Sequence, residues 1–396
     1  MAEVTDSLAR RAARGRCDRR HLAAALAVTG ALLLGACGGA GAASATSRTP
    51  SPRTAPTATV NATATPIATP ASSTPTPAPT PTPPASDLMA YVAVSGGELI
   101  PLDVTTGTAE APMRIDPDPT SVTVTPDGHD AYVADGETAT VTEVNLETGT
   151  VGTPNQVAND ATLTALAITP NGATLLAVAN PTGYDTGSVI PITLASGSVG
   201  APIPVGAYPV AIAVAPNGGT AYVVNAGDST ITPISLASDT AGAPLSVGVN
   251  PMAIVITPSG GTAYVLGGSG AGTLTPVTLA ANPAQDVVGS AISVPGGAPA
   301  ALAMAPDGGS ACVLGATGVG RVSLPAGTDL WTTSNASYTA AAFSLDGSRA
   351  LLGYTSGTSP RQGVVMLSTG TDAAGTPISL SGKPTSIAFR PPSAAT

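Results

Sequence analysis

Three observations predict an all-β head made of seven similar four-stranded units in this 396-residue chain. First, an apolar run ending in a Pro-x-Gly turn recurs. It appears at Pro126-Asp127-Gly128, Pro170-Asn171-Gly172, Pro216-Asn217-Gly218, Pro258-Ser259-Gly260 and Pro306-Asp307-Gly308, and, without the proline, at Leu345-Asp346-Gly347; the spacings are 44, 46, 42, 48 and 39 residues. Second, each period holds four short runs with strand character. In the most regular copy these are Ala211–Ala215, Ala221–Val224, Thr230–Leu236, which alternates polar and apolar residues, and Pro244–Val247. Third, the two ends complement each other. Thr385–Phe389 reads as the first strand of a unit with no second strand after it, and Leu88–Val94 reads as a second strand with no first strand before it. A unit this short cannot bury its own apolar face and must stack on its copies. A period near 40 with four strands is that of a β-propeller blade. The expected architecture is a ring of seven blades, the seventh shared between the two ends, which leaves no open sheet edge.

The chain divides by composition into residues 1–36, 37–86 and 87–396. The first segment is a basic stretch with Arg10, Arg11, Arg14, Arg16, Arg19 and Arg20, followed by the apolar run Leu22–Ala36. That run is short for a membrane span and has the layout of a signal peptide. It ends in Leu34-Gly35-Ala36-Cys37. Small residues before a cysteine at this point resemble the lipobox of bacterial lipoproteins. The resemblance implies cleavage before Cys37, a lipid on its thiol, and an extracytoplasmic protein held to the outer face of the membrane. Arg19-Arg20-His21-Leu22 shares its dipeptide with twin-arginine signals but has Asp18 and Leu22 at the flanks, so both that route and the general secretory route stay open. Residues 37–86 are mostly Ala, Thr, Ser and Pro, and Thr74–Pro84 (TPTPAPTPTPP) reads as an extended, semi-rigid tether open to O-glycosylation.

From Asp87 onward the chain carries 21 Asp plus Glu and 6 Lys plus Arg, a difference of −15, whereas the whole chain sums to −10. So acidic a head repels nucleic acid and attracts cations or a basic partner. Aromatic residues make up only 3% of the chain, so the expected core is Ala, Val, Ile and Leu. The first strand of each blade, as in AIAVA, AIVIT and ALAMA, is the smallest in side chain and is expected innermost. Cys312 stands where other copies have Tyr and reads as a small buried residue; with Cys17 and Cys37 assigned to the leader and the anchor, no disulfide framework is expected.

Ala221-Tyr222-Val223-Val224-Asn225, with the preceding Pro209…Pro216-Asn217-Gly218 and the following STITPISL and PLSVG, resembles the YVTN-type (YncE-like) β-propeller repeat. Ala131–Asp135 and Ala263–Gly267 match more loosely. The resemblance spans residues 88–391 and implies the fold and an exported protein. No Trp-Asp dipeptide closes the blades, as it would in the WD40 variant.

Chemistry-bearing residues are sparse. His129 is the only histidine beyond residue 37 and follows a turn glycine, where a solvated side chain is expected. One histidine and one unlipidated cysteine are a poor set for zinc, copper or haem, or for a hydrolytic triad. No cofactor is expected, except that loops on one face gather Asp116, Asp118, Asp135, Glu137, Asp160, Asp185 and Asp228. These could bind Ca²⁺, which prefers oxygen ligands, or a basic partner, or they could simply form a solubilising surface. The expected function is a monomeric, non-catalytic binding or scaffold module that meets a protein, glycan or small molecule. The alternative is a lactonase- or lyase-like enzyme at the channel mouth, which would need charged groups converging on the inner strands; Arg390 is the main charge near them.

Overall fold

The computed structural model describes residues 88–391, except 182–185, 271, 295, 326–327, 334–335 and 358. Cys37, Leu34, Gly35 and Ala36, the tether and Asp185 lie outside the described residues. Within them the chain forms seven antiparallel sheets. Six blades follow in chain order, with inner strands Pro119–Val124, Ala161–Ile168, Pro209–Val214, Ala253–Ile256, Pro299–Met304 and Ser337–Phe343. The seventh is split: Pro384–Phe389 pairs antiparallel with Met89–Val94, Ile387 opposite Val92 and Ala388 opposite Tyr91. Neighbouring inner strands touch all the way round, and Pro384–Phe389 meets both Pro119–Val124 and Ser337–Phe343, so the ring closes through the chain's two ends as expected.

The third blade shows how sequence makes a blade. Pro209–Val214 pairs with Thr220–Asn225, and that strand with Thr230–Ser235. The turn between the first two is held by Ala215 N donating to Thr220 O (2.8 Å) and Gly219 N to Asn217 Oδ1 (2.9 Å), with Gly218 at φ +71. That is left-handed backbone, which glycine adopts without strain. The fourth strand differs from the expected single run: it is two fragments, Thr240–Ala241 and Leu245–Ser246, both on Thr230–Ser235. Between them Gly242 N donates to Pro233 O at 2.7 Å, and Pro244 has no N–H for the ladder. The fifth blade alone, among the described sheets, keeps one long outer strand, Thr328–Thr333, paired along Gly318–Ser323.

The apolar core lies between blades, not inside them. Its seven buried clusters each join two neighbouring blades. Alternation along a strand sends successive side chains to opposite faces of its sheet, so every blade feeds two interfaces. One position of each second strand reaches toward the following blade. Tyr91, Tyr132, Leu176, Tyr222, Tyr264, Cys312 and Leu351 occupy it, each in the cluster shared with that blade. Cys312 is thus the buried small residue that the repeat pattern suggested, 1% exposed, and burial pushes its thiol up to about 12.

Hydroxyls stitch the inner strands where the sequence supplies them. Thr120 Oγ1 donates to Leu163 O (2.9 Å), Thr164 Oγ1 to Pro209 O (3.1 Å) and Thr339 Oγ1 to Pro384 O (2.8 Å), each crossing to the next blade. Thr123 is different. It is 1% exposed and its hydroxyl has no partner. It lies opposite Tyr132 as Ala213 lies opposite Tyr222. A buried hydroxyl without a partner carries its desolvation cost uncompensated, so Thr123→Val, which keeps the shape, is expected to raise unfolding stability by about 1 kcal/mol. Urea unfolding checks it, and a lower midpoint would contradict the assignment.

Candidate functional site: the linker face of the first three blades

Loops joining second to third strands share one face of the ring with the linkers between blades; the Pro-x-Gly turns occupy the other. The acidic residues singled out from the sequence lie on the linker face, but they are not equivalent.

Asp135 ends the second strand of the first blade and is 2% exposed. Its Oδ2 accepts from Asp118 N (2.8 Å), and its Oδ1 accepts from Glu137 N (3.0 Å), Thr138 N (2.7 Å) and Thr138 Oγ1 (2.7 Å). The carboxylate therefore ties the incoming linker to the hairpin. In the third blade Asn225 has the same position. Its Oδ1 accepts from Gly206 N (3.1 Å), and its Nδ2 donates to Thr230 Oγ1 (3.1 Å) and Thr232 Oγ1 (2.8 Å). A carboxylate cannot donate. In the first blade the matching hydroxyls of Thr140 and Thr142 donate instead to Asp116 Oδ2, at 2.8 and 3.1 Å. Asp116 and Asp135 together do what one asparagine does two blades on. Asp228 likewise accepts from Ala207 N at 2.6 Å.

Asp118, Glu137 and Asp160 remain. All three are exposed, and their carboxylates make no hydrogen bond or ion pair among the described residues. Asp118 reaches over Gly136, where an added Cβ would lie 3.1 Å from its Oδ2. This partial loss of water, then the charges of Asp135 and Glu137, hold its carboxyl above the usual carboxylate range. The structure thus brings together Asp116, Asp118, Asp135 and Glu137, sets Asp160 at the start of the second blade, and leaves Asp228 apart on the third. Among the described residues no group of three or more His, Cys, Asp or Glu is arranged to hold a metal ion.

Two residues that the sequence flagged elsewhere go to the turn face. His129 Nδ1 stands 3.0 Å from Glu147 Oε1, both side chains about half exposed. Arg390 is engaged across the seam between the seventh and first blades. Its Nε donates to Gly128 O (2.8 Å) and its guanidinium lies 3.9 Å from the same Glu147 oxygen. This ion-paired bridge from the seventh blade to the first was not legible in the sequence, since the residues it joins are 262 apart.

No family profile matches the chain, and no curated protein matches it. Solved structures do. Hydrazine synthase of Kuenenia stuttgartiensis is similar at 19% identity and a TM-score of 0.61, over 70% of this chain and 91% of that one. A functionally unknown protein of Desulfotomaculum acetoxidans is similar at 16% identity and a TM-score of 0.65, over 78% of this chain and all of that one. Likeness at such identities speaks for the propeller fold alone.

Proposed function

We propose that this chain is an exported, lipid-anchored binding module of the YVTN-repeat kind, without catalysis of its own, whose linker face receives a basic protein surface at the first and second blades. The observation that carries the reading is the unpartnered, exposed trio Asp118, Glu137 and Asp160. The other acids of the cluster are engaged in holding the loops, and the free carboxylates are not gathered, among the described residues, into a group that could hold a metal ion, which favours diffuse attraction of a cationic surface over a Ca²⁺ site. Ala221–Asn225 and its neighbouring strands support the repeat family, and Leu34–Cys37 supports the anchor. The lactonase or lyase reading loses its main charged group, because Arg390 is turned to Gly128 and Glu147.

Two measurements test the proposal. Full-length protein is expected to bind a hexalysine probe at low salt, and D118N/E137Q/D160N to bind it at least fivefold more weakly; equal binding would overturn the site. In bacteria fed radiolabelled palmitate, the protein is expected to carry the label and Cys37→Ala to lose it. Label retained by Cys37→Ala would overturn the lipid anchor.

A further inference from the structure

On the turn face, three consecutive blade interfaces are closed by an arginine. Between the fifth and sixth blades, the guanidinium of Arg321 donates to Thr369 O and lies 3.5 Å from Asp372 Oδ2. Between the sixth and seventh, Arg349 donates to Val104 O. Between the seventh and first, Arg390 donates to Gly128 O and faces Glu147. The first two take their acceptor from the residue just past the next blade's third strand, Thr369 after Gln362–Ser368 and Val104 after Glu98–Asp103.

The interface between the second and third blades has the acceptors without the arginine. Pro191 stands opposite Leu176 as Arg321 stands opposite Cys312. Leu236 follows its third strand as Thr369 does, and their N–H groups donate alike, to Gly219 O and Ser348 O, each at 3.0 Å. Asp239 matches Asp372 in position and in backbone, at φ +51 and +52. A cleft of about 270 Å³ opens there, lined among others by Thr169, Asn171, Thr193, Gly218, Leu236 and Asp239. The Asp239 carboxylate makes no hydrogen bond or ion pair among the described residues.

We propose that this cleft receives a guanidinium from outside the chain: the arginine side chain of a partner protein, seated as Arg321 is seated three interfaces further on. Asp239 and the carbonyl of Leu236 stand for Asp372 and the carbonyl of Thr369. One carboxylate beside one carbonyl suits the planar fork of a guanidinium better than the compact ammonium of lysine. The cleft is on the face opposite Asp118, Glu137 and Asp160, so it stands or falls separately from the linker-face reading.

Saturation-transfer NMR with full-length protein tests it, using a capped Gly-Gly-Arg-Gly-Gly peptide and the same peptide with citrulline, which keeps the shape and loses the charge. The arginine δ-methylene protons are expected to be saturated, and citrulline to bind at least tenfold more weakly. Asp239→Asn is expected to weaken the arginine peptide at least fivefold, and D118N/E137Q/D160N to leave it unchanged. Pro191→Arg supplies the guanidinium from within; it is expected to keep the melting temperature and abolish peptide binding. Equal binding of the citrulline peptide, or undiminished binding by a folded D239N or P191R protein, overturns the proposal.

Discussion

Deleting Pro384–Phe389 is expected to abolish the cooperative thermal transition of the propeller. The segment is the inner strand of the seventh blade, registered along Met89–Val94. Its Ser386 Oγ accepts from Val122 N (3.1 Å) in the first blade, and its Pro384 O accepts from Thr339 Oγ1 (2.8 Å) in the sixth. Ile387 and Ala388 belong to different interface clusters, so the deletion opens two of the seven at once. Removing one buried aliphatic side chain to Ala already costs about 2–5 kcal/mol, against a total stability of about 5–15 kcal/mol for a typical domain. Loss of the strand also leaves Met89–Val94 as an unpaired edge whose buried Tyr91 and Val92 become exposed. Circular dichroism on heating should show no sharp transition, with aggregation in its place. A deletion that melts like the intact protein would show that the ring does not need its closing strand.

The second large effect separates charge from hydrogen bonding at Asp135. Asp135→Ala strands three backbone N–H groups and one hydroxyl that now donate to the carboxylate. The expected loss is about 3 kcal/mol, since hydrogen bonds to a buried charged group are among the stronger ones and their donors would be left without partners. Asp135→Asn retains one acceptor oxygen, as Asn225 has toward Gly206 N in the third blade, but turns its amide N–H₂ toward the donors that met the other oxygen. It is expected to cost about 1–2 kcal/mol, less than Ala, and to relax the repulsion that lifts the Asp118 carboxyl. Chemical denaturation of both variants is decisive. Equal losses would mean that the negative charge matters more than the acceptor geometry, and no loss for Ala would remove Asp135 from the framework.

The ring was legible because its signals are local or repeated. The Pro-x-Gly turns mark the period, the small inner strands mark the hub, and the unmatched Leu88–Val94 and Thr385–Phe389 announce the split blade. The fate of the acids was not legible. Asp135 and Glu137 look alike in the sequence, both in a polar loop, yet one is buried and the other exposed. The difference arises because the linker at Asp116–Asp118 roofs one and not the other. Arg321 was equally opaque, since its acceptor is 48 residues away in the next blade. The broken outer strand depended on recognising that Gly242 and Pro244 interrupt the ladder within what reads as a single run.

Because the apolar interior belongs to the seams, no blade is a self-sufficient unit, and order spreads by adding neighbours. That has a consequence in time. Ala93 accepts from the hydroxyl of Thr385, 292 residues later. A ribosome releases the first partner long before it has made the second. The earliest strand therefore waits, half-matched, through the synthesis of every other blade. The final latch is set only after Phe389 emerges, and a chain arrested before it remains an open, sticky arc.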